Sequence, residues 1–85
     1  MDHSFSKLTS VLSKILEIDT DLINLNSSPE NIESWDSYNG LAIVSALEQE
    51  FHVEFKIEEI IAVKNVKDIV NCLYIHGISF NDLEL

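Results

Sequence analysis

A single cysteine, Cys72, rules out an internal disulfide, so packing and hydrogen bonding must hold this chain together. Two glycines and one proline in 85 residues offer few places to divide it, and it reads as one domain spanning residues 1–85. A domain of this size buries only about 60–65% of the surface its unfolded form exposes, too little for a deep enclosed cleft. A binding or carrier module, which needs one exposed site on a stable scaffold, suits it better than an enzyme. Positive charge is scarce: five basic residues face fifteen acidic ones, for a formal net charge of −10. Such a chain repels nucleic-acid backbones and anionic lipid surfaces and attracts basic protein surfaces. No apolar stretch approaches the roughly 20 residues needed to cross a bilayer, since Ser45 and Lys64 break the longest candidates. The opening Met1-Asp2-His3-Ser4 lacks the basic and then apolar run of a secretory signal, so a cytoplasmic protein is expected.

No segment alternates with the two-residue period of a strand for long enough to form one, and the expectation is an all-α fold. Phe5, Leu8, Val11, Leu12, Ile15, Leu16 and Ile18 fall on one side of a first helix. From Asp19 to Trp35 the period dissolves into a polar loop rich in turn formers, among them Asn24, Asn26, Ser27, Ser28 and Pro29. Leu22, Ile23, Leu25 and Ile32 should pin this loop to the core. A second helix runs from about Ser37 to His52, with Leu41, Ile43, Val44, Leu47 and Phe51 inward and Tyr38 outward. Ile57, Ile60 and Ile61 fit a short third helix, marginal because Lys56 is a poor cap, and a candidate for the mobile part of the fold. Val66, Ile69, Val70, Leu73 and Tyr74 define a last helix, capped by Asn65 and closed by Gly77, with the tail from Ile78 to Leu85 expected to fray.

Few residue groupings suggest chemistry. His3, His52 and His76 show no ligand spacing and Cys72 has no evident partner, so neither zinc nor a nucleophilic cysteine is expected. Cys72 and His76, four residues apart on the last helix, read as partly buried packing residues. Asp19, Asp21 and Glu30 match three positions of a calcium-loop template, but Ile23 occupies a ligand position, Asn24 replaces the required glycine and Pro29 stiffens the approach. No metal is expected there. More informative is Asp36-Ser37, which follows the loop and opens an amphipathic helix. The unpaired amides of a helix N-terminus favour negative charge, so a phosphodiester on Ser37 would sit in a favourable field.

The stretch Glu33-Ser34-Trp35-Asp36-Ser37-Tyr38, followed by Leu41, Ile43, Val44 and then Ala46-Leu47-Glu48-Gln49-Glu50-Phe51, resembles the acyl carrier proteins. In that family an Asp-Ser-Leu motif opens the second of four helices, with an Ala-Leu-Glu-Glu-Glu-Phe-like segment about ten residues later. Glu58-Glu59-Ile60 and the helix start Asn65-Val66-Lys67-Asp68-Ile69 also look like family counterparts, and the likeness covers nearly the whole chain. It implies a four-helix bundle with a long loop between helices one and two and a short third helix. It further implies that 4′-phosphopantetheine, moved from coenzyme A by a magnesium-dependent phosphopantetheinyl transferase, is esterified to Ser37 and holds acyl groups as thioesters, making the chain a phosphoprotein. Asp36 would support that attachment, Tyr38 would offer an aromatic contact, and Glu48, Glu50, Glu54, Glu58 and Glu59 would present charge to acyl-loading and acyl-processing enzymes with basic patches. Catalysis would reside in those partners, and the carrier would act as a monomer in fatty-acid, polyketide or related specialised biosynthesis.

Departures from the family pattern are Tyr38 in place of leucine and Ala42 where an acidic residue is frequent. Gly40 lies on the inner arc of the helix at a cost of around 1 kcal/mol relative to Ala, and close packing of two helices is favoured over room for the arm as its explanation. Trp35 reads as a packing lid over the helix start. A peptidyl or aminoacyl carrier ranks lower, because Ser34 and Trp35 stand where such carriers often have two glycines. From another class, an unmodified acidic helical module could bind a basic partner through the second and third helices and would keep that binding in Ser37→Ala. A small hydrolase using Ser37 with a histidine comes third, since no second residue has a visible reason to lie nearby.

Overall fold

Leucines at four-residue intervals organise the first helix: Leu8, Leu12 and Leu16 of α1 (Ser4–Leu16) are fully buried on one stripe. The computed structural model describes residues 3–82 and contains three further helices, α2 (Ser37–Phe51), α3 (Ile57–Ala62) and α4 (Val66–Ile75), with no strand among the described residues. α1 packs on α2, and the core joins the leucines of α1 to Ile43, Leu47 and Phe51 of α2 and to Val66, Ile69, Val70 and Leu73 of α4. None of the helices in the described residues is long and apolar enough to cross a membrane. The expected all-α, four-helix arrangement is therefore the one observed.

The loop between α1 and α2 is ordered by the residues that mark it as a turn segment. Ser27 Oγ accepts the Asn24 N–H, Asn24 Oδ1 accepts the Asn26 N–H, and Asn31 Oδ1 accepts the Ser28 N–H, at 2.9, 2.8 and 3.0 Å. Its ends are tied to neighbours. Ser34 Oγ donates to the Leu16 carbonyl at 2.8 Å, while the carbonyls of Ser27 and Leu25 accept the N–H groups of Val66 and Lys67, which open α4. Ile23, Ile32 and Trp35 are buried, and Leu25 packs against the core. Leu22, expected among the pinning residues, is instead 64% exposed, because it ends a 3₁₀ turn (Thr20–Leu22) whose next residue, Ile23, takes the inward position.

Helix ends follow their caps. Asn65 Oδ1 accepts the Asp68 N–H at 2.8 Å and opens α4, and Gly77, at φ +93°, closes it with its N–H on the Tyr74 carbonyl. For α3 the poor cap Lys56 is offset by Glu59, whose Oε1 accepts the Lys56 backbone N–H at 2.8 Å, so one return bond secures this six-residue helix. Tyr74, expected on the inner stripe of α4, is 70% exposed: it lies about 40° beyond Val70, past the edge of the buried stripe and in the last turn of the helix.

The expected fraying of the tail is corrected as far as residue 82; residues 83–85 lie outside the described residues. Ile78 and Phe80 pack against the core, and the Asp82 carboxylate accepts the N–H groups of Phe5 and Ser6, both at 3.1 Å. The physical reason lies at the other end of the chain: His3 makes no side-chain cap for α1, so its first turn is capped by an aspartate 77 residues away. Burial raises the Asp82 pKa, but these N–H groups outweigh that and hold it below the ordinary aspartate value. Asp82→Ala is expected to lower stability by about 1 kcal/mol in urea unfolding at neutral pH. A depressed native pKa means the contribution is present above the unfolded value of about 3.9 and is lost as pH falls through the folded one. The gap between wild type and variant should therefore close on acidification, and equal stabilities at pH 7 would refute the cap.

Candidate functional site

At the entry to α2, consecutive residues face opposite environments. Trp35 is 7% exposed within the core, whereas Asp36, Ser37 and Tyr38 are exposed, Tyr38 at 81%. Asp36 ends the loop in extended conformation and its Oδ1 accepts the Asn39 N–H at 2.8 Å, which makes it the N-cap and Ser37 the first helical residue. Asn39 Nδ2 in turn donates to the Ser34 carbonyl at 2.8 Å, closing a clasp across the junction. The Ser37 hydroxyl is thus presented to solvent at the positive end of a fifteen-residue helix.

Ser37 also stands on the wall of a cavity of about 560 Å³ whose other walls come from α2, α3 and α4. Trp35, Ile43, Val44, Leu47, Phe55, Ile60 and Val63 make it largely apolar, and its size falls in the range of small-molecule sites. Gly40 lines it, and the expectation that this glycine permits close helix packing is corrected. A Cβ there would meet only Trp35 Nε1, at an ordinary 3.8 Å, so no neighbouring helix requires its absence. Trp35 itself packs over the helix start as expected.

Leu41, assigned to the inner arc of α2, is 67% exposed and is corrected to an outward position. At about 100° per residue it lies some 200° from Ile43, so the helical wheel contained this signal. With Tyr38 it forms an exposed apolar pair on the first turns of α2, and Ile57 and Ile61 of α3 are exposed as well. Sequence reasoning missed these three aliphatic residues as surface features. Of the five glutamates expected at a docking face, Glu50, Glu54 and Glu58 are exposed. Glu48 and Glu59 are half-buried with partners inside the chain. Glu48 Oε2 accepts the Phe55 N–H at 2.8 Å, which ties α2 to the segment leading into α3.

Glu59 makes the densest polar contacts of the site. The Lys56 backbone N–H, followed by Cys72 and His76, holds its carboxyl below the usual glutamate range. His76 Nε2 lies 2.9 Å from Glu59 Oε2, and the Cys72 thiol donates to the same oxygen at 3.3 Å. Burial, with the adjacent carboxylate, pushes the Cys72 thiol up to about 12. That direction favours the protonated thiol at neutral pH. The expectation that Cys72 has no partner is corrected: the approach of α3 to α4 supplies one that sequence spacing does not reveal. His76 is likewise engaged by Glu59, at 2.9 Å.

Comparison with known proteins places this geometry in a family. The family described as "Phosphopantetheine attachment site" matches residues 6–73. An acyl carrier protein of Clostridium acetobutylicum is 33% identical over 72 residues, covering 85% of this chain and 94% of its own. A solved structure described as an acyl carrier protein of Mycobacterium tuberculosis superposes with a TM-score of 0.76 at 20% identity, over 84% of this chain and 95% of that one. The chain belongs to the acyl carrier proteins, small helical carriers whose cofactor is covalently attached 4′-phosphopantetheine and which work with biosynthetic enzymes. Since Gly40 has room for a methyl group in mid-helix, Gly40→Ala is expected to raise stability by about 0.5–1 kcal/mol in urea unfolding; a loss would show that the site is tighter than the 3.8 Å contact implies.

Proposed function

We propose that Ser37 is the residue that carries 4′-phosphopantetheine, and that the protein is a monomeric, cytoplasmic carrier of acyl thioesters for fatty-acid, polyketide or related specialised biosynthesis. The observation that carries this reading is the exposed Ser37 hydroxyl, directly after the Asp36 cap and on the wall of the apolar cavity. In the loading step a phosphopantetheinyl transferase directs Ser37 Oγ onto the pantetheine phosphate of coenzyme A. The new O–P bond forms as the bond to 3′,5′-adenosine diphosphate breaks, and the serine proton passes to the transferase. The N-terminal end of α2, with its dipole, would favour the negative charge of a phosphodiester on Ser37. Asp36 supports the attachment by holding the loop and helix at a fixed angle.

The chain itself performs no catalysis in this reading. Ser37 anchors the arm, the arm's thiol bears the cargo, and partner enzymes do the chemistry. The cavity beside the anchor offers an apolar retreat for an acyl chain between visits. Docking rests on Tyr38 and Leu41 for apolar contact and on Glu50, Glu54 and Glu58 for attraction to basic patches; Glu48 and Glu59 contribute mainly to the overall field. A peptidyl carrier remains second, because Ser34 and Trp35 occupy the positions before Asp36 and both are committed to structural contacts.

Incubation of the full chain with coenzyme A, magnesium and a broad-specificity transferase should add one phosphopantetheine by intact-mass analysis, and Ser37→Ala should add none. Failure to load with several transferases, or loading that survives Ser37→Ala, would overturn the assignment.

A further inference from the structure

We propose that Glu59, Cys72 and His76 form a binding site for a thiophilic divalent cation such as Zn²⁺ or Co²⁺, which would fasten α3 to α4 beside the cavity. One carboxylate oxygen, the thiol sulfur and an imidazole nitrogen lie within 4.8 Å of one another, and all three side chains are half-buried. This mixed donor set is the kind that borderline and soft divalent ions prefer, and it differs from a surface cluster of carboxylates. Cys72 lies on α4 and His76 is the C-cap of that helix, four residues on, with its N–H on the Cys72 carbonyl, so the two stand one turn apart, and Glu59 approaches from α3.

Zinc bonds of about 2.0–2.3 Å separate tetrahedral ligand atoms by about 3.3–3.7 Å. The observed Nε2 to Oε2 and Sγ to Oε2 separations, 2.9 and 3.3 Å, need to open by only a few tenths of an ångström. Outer contacts hold two of the ligands in place. Glu59 Oε1 is fixed by the Lys56 N–H at 2.8 Å, and the Phe55 ring meets the His76 ring edge-on, with centroids 5.4 Å apart and planes at 82°. A cation with one carboxylate, one thiolate and one neutral imidazole forms a neutral unit, and the strongly acidic chain favours its approach. As the metal–sulfur bond forms, the thiol proton passes to the buffer.

With three protein ligands, a fourth coordination position stays open to water or another donor. Glu59 and Cys72 both line the cavity, so the ion would sit at its wall. The mechanical consequence is specific. α3 is short and its Glu59 return bond is its main cap, so tying that same residue to α4 would rigidify the cavity wall.

Titration of the reduced full chain with Co²⁺ should produce a sulfur-to-cobalt charge-transfer band and the visible bands of four-coordinate cobalt, saturating at one equivalent and displaced by Zn²⁺. Cys72→Ser should abolish the charge-transfer band while retaining the helical circular dichroism spectrum. His76→Ala should weaken binding at least tenfold and serves as the second variant should Cys72→Ser fail to fold. Absence of the band at stoichiometric Co²⁺, or affinity that is unchanged in His76→Ala, would overturn the proposal. Because the readout is metal absorption on the unloaded chain, the outcome is independent of whether Ser37 carries the arm.

Discussion

The junction between loop and second helix is the constraint on which the rest of the structure depends. Trp35 must enter the core and Ser37, two residues on, must stay outside it. Asp36 reconciles these demands by leaving the loop in extended conformation and capping α2 with its carboxylate, while Asn39 reaches back to the Ser34 carbonyl. A buried tryptophan is a large apolar anchor, and moving it outward would cost several kcal/mol by the measure of core truncations. The direction in which α2 starts, and with it the position of the Ser37 hydroxyl, is thereby tied to core packing. The cavity shares this dependence, since Trp35 and Ser37 both contribute to its wall.

Around that junction the protein spends its polar residues on connections. The loop from residue 17 to 36 carries its own hydrogen-bond skeleton, and its Ser27 and Leu25 carbonyls accept the N–H groups that open α4. Glu48 fastens α2 to the segment before α3, Glu59 fastens α3 to α4, and Asp82 fastens the tail to α1. In a chain too small for a large apolar core, such side-chain bonds join elements that packing alone holds weakly, and the Asp82 bonds also satisfy the open N-terminus of α1. They also explain why an acidic composition does not translate uniformly into a docking surface: several of its carboxylates are occupied inside the fold.

The helices were legible because apolar spacing and caps are local. Leu8, Leu12 and Leu16, the Asp36 and Asn65 caps and the Gly77 stop all stand where periodicity and cap chemistry place them. The order of the tail was not legible, because it depends on a partner 77 residues away and on a first helix without a cap of its own. Leu22, Leu41 and Tyr74 lie outside the core because hydrophobic character alone does not entail burial; for Leu41 the position on the wheel also points outward. In the site, Asp36 and Ser37 could be read directly as the pair that opens an amphipathic helix, with Ser37 as a hydroxyl at its mouth. The cluster of Glu59, Cys72 and His76 could be read only in part, since the spacing of Cys72 and His76 is local but the approach of Glu59 is tertiary. Gly40 was misjudged because sequence cannot distinguish a glycine needed for close approach from one beside open space.

The account stands on the claim that the clasped junction makes Ser37, among the chain's many hydroxyls, the point of attachment. Fragmentation mass spectrometry of the protein isolated from its native source tests this most directly, because it reads which residue bears the phosphodiester. The account predicts phosphopantetheine, with or without acyl cargo, on Ser37 alone. A phosphopantetheine mapped to any other residue, or a native protein wholly without one, would contradict it.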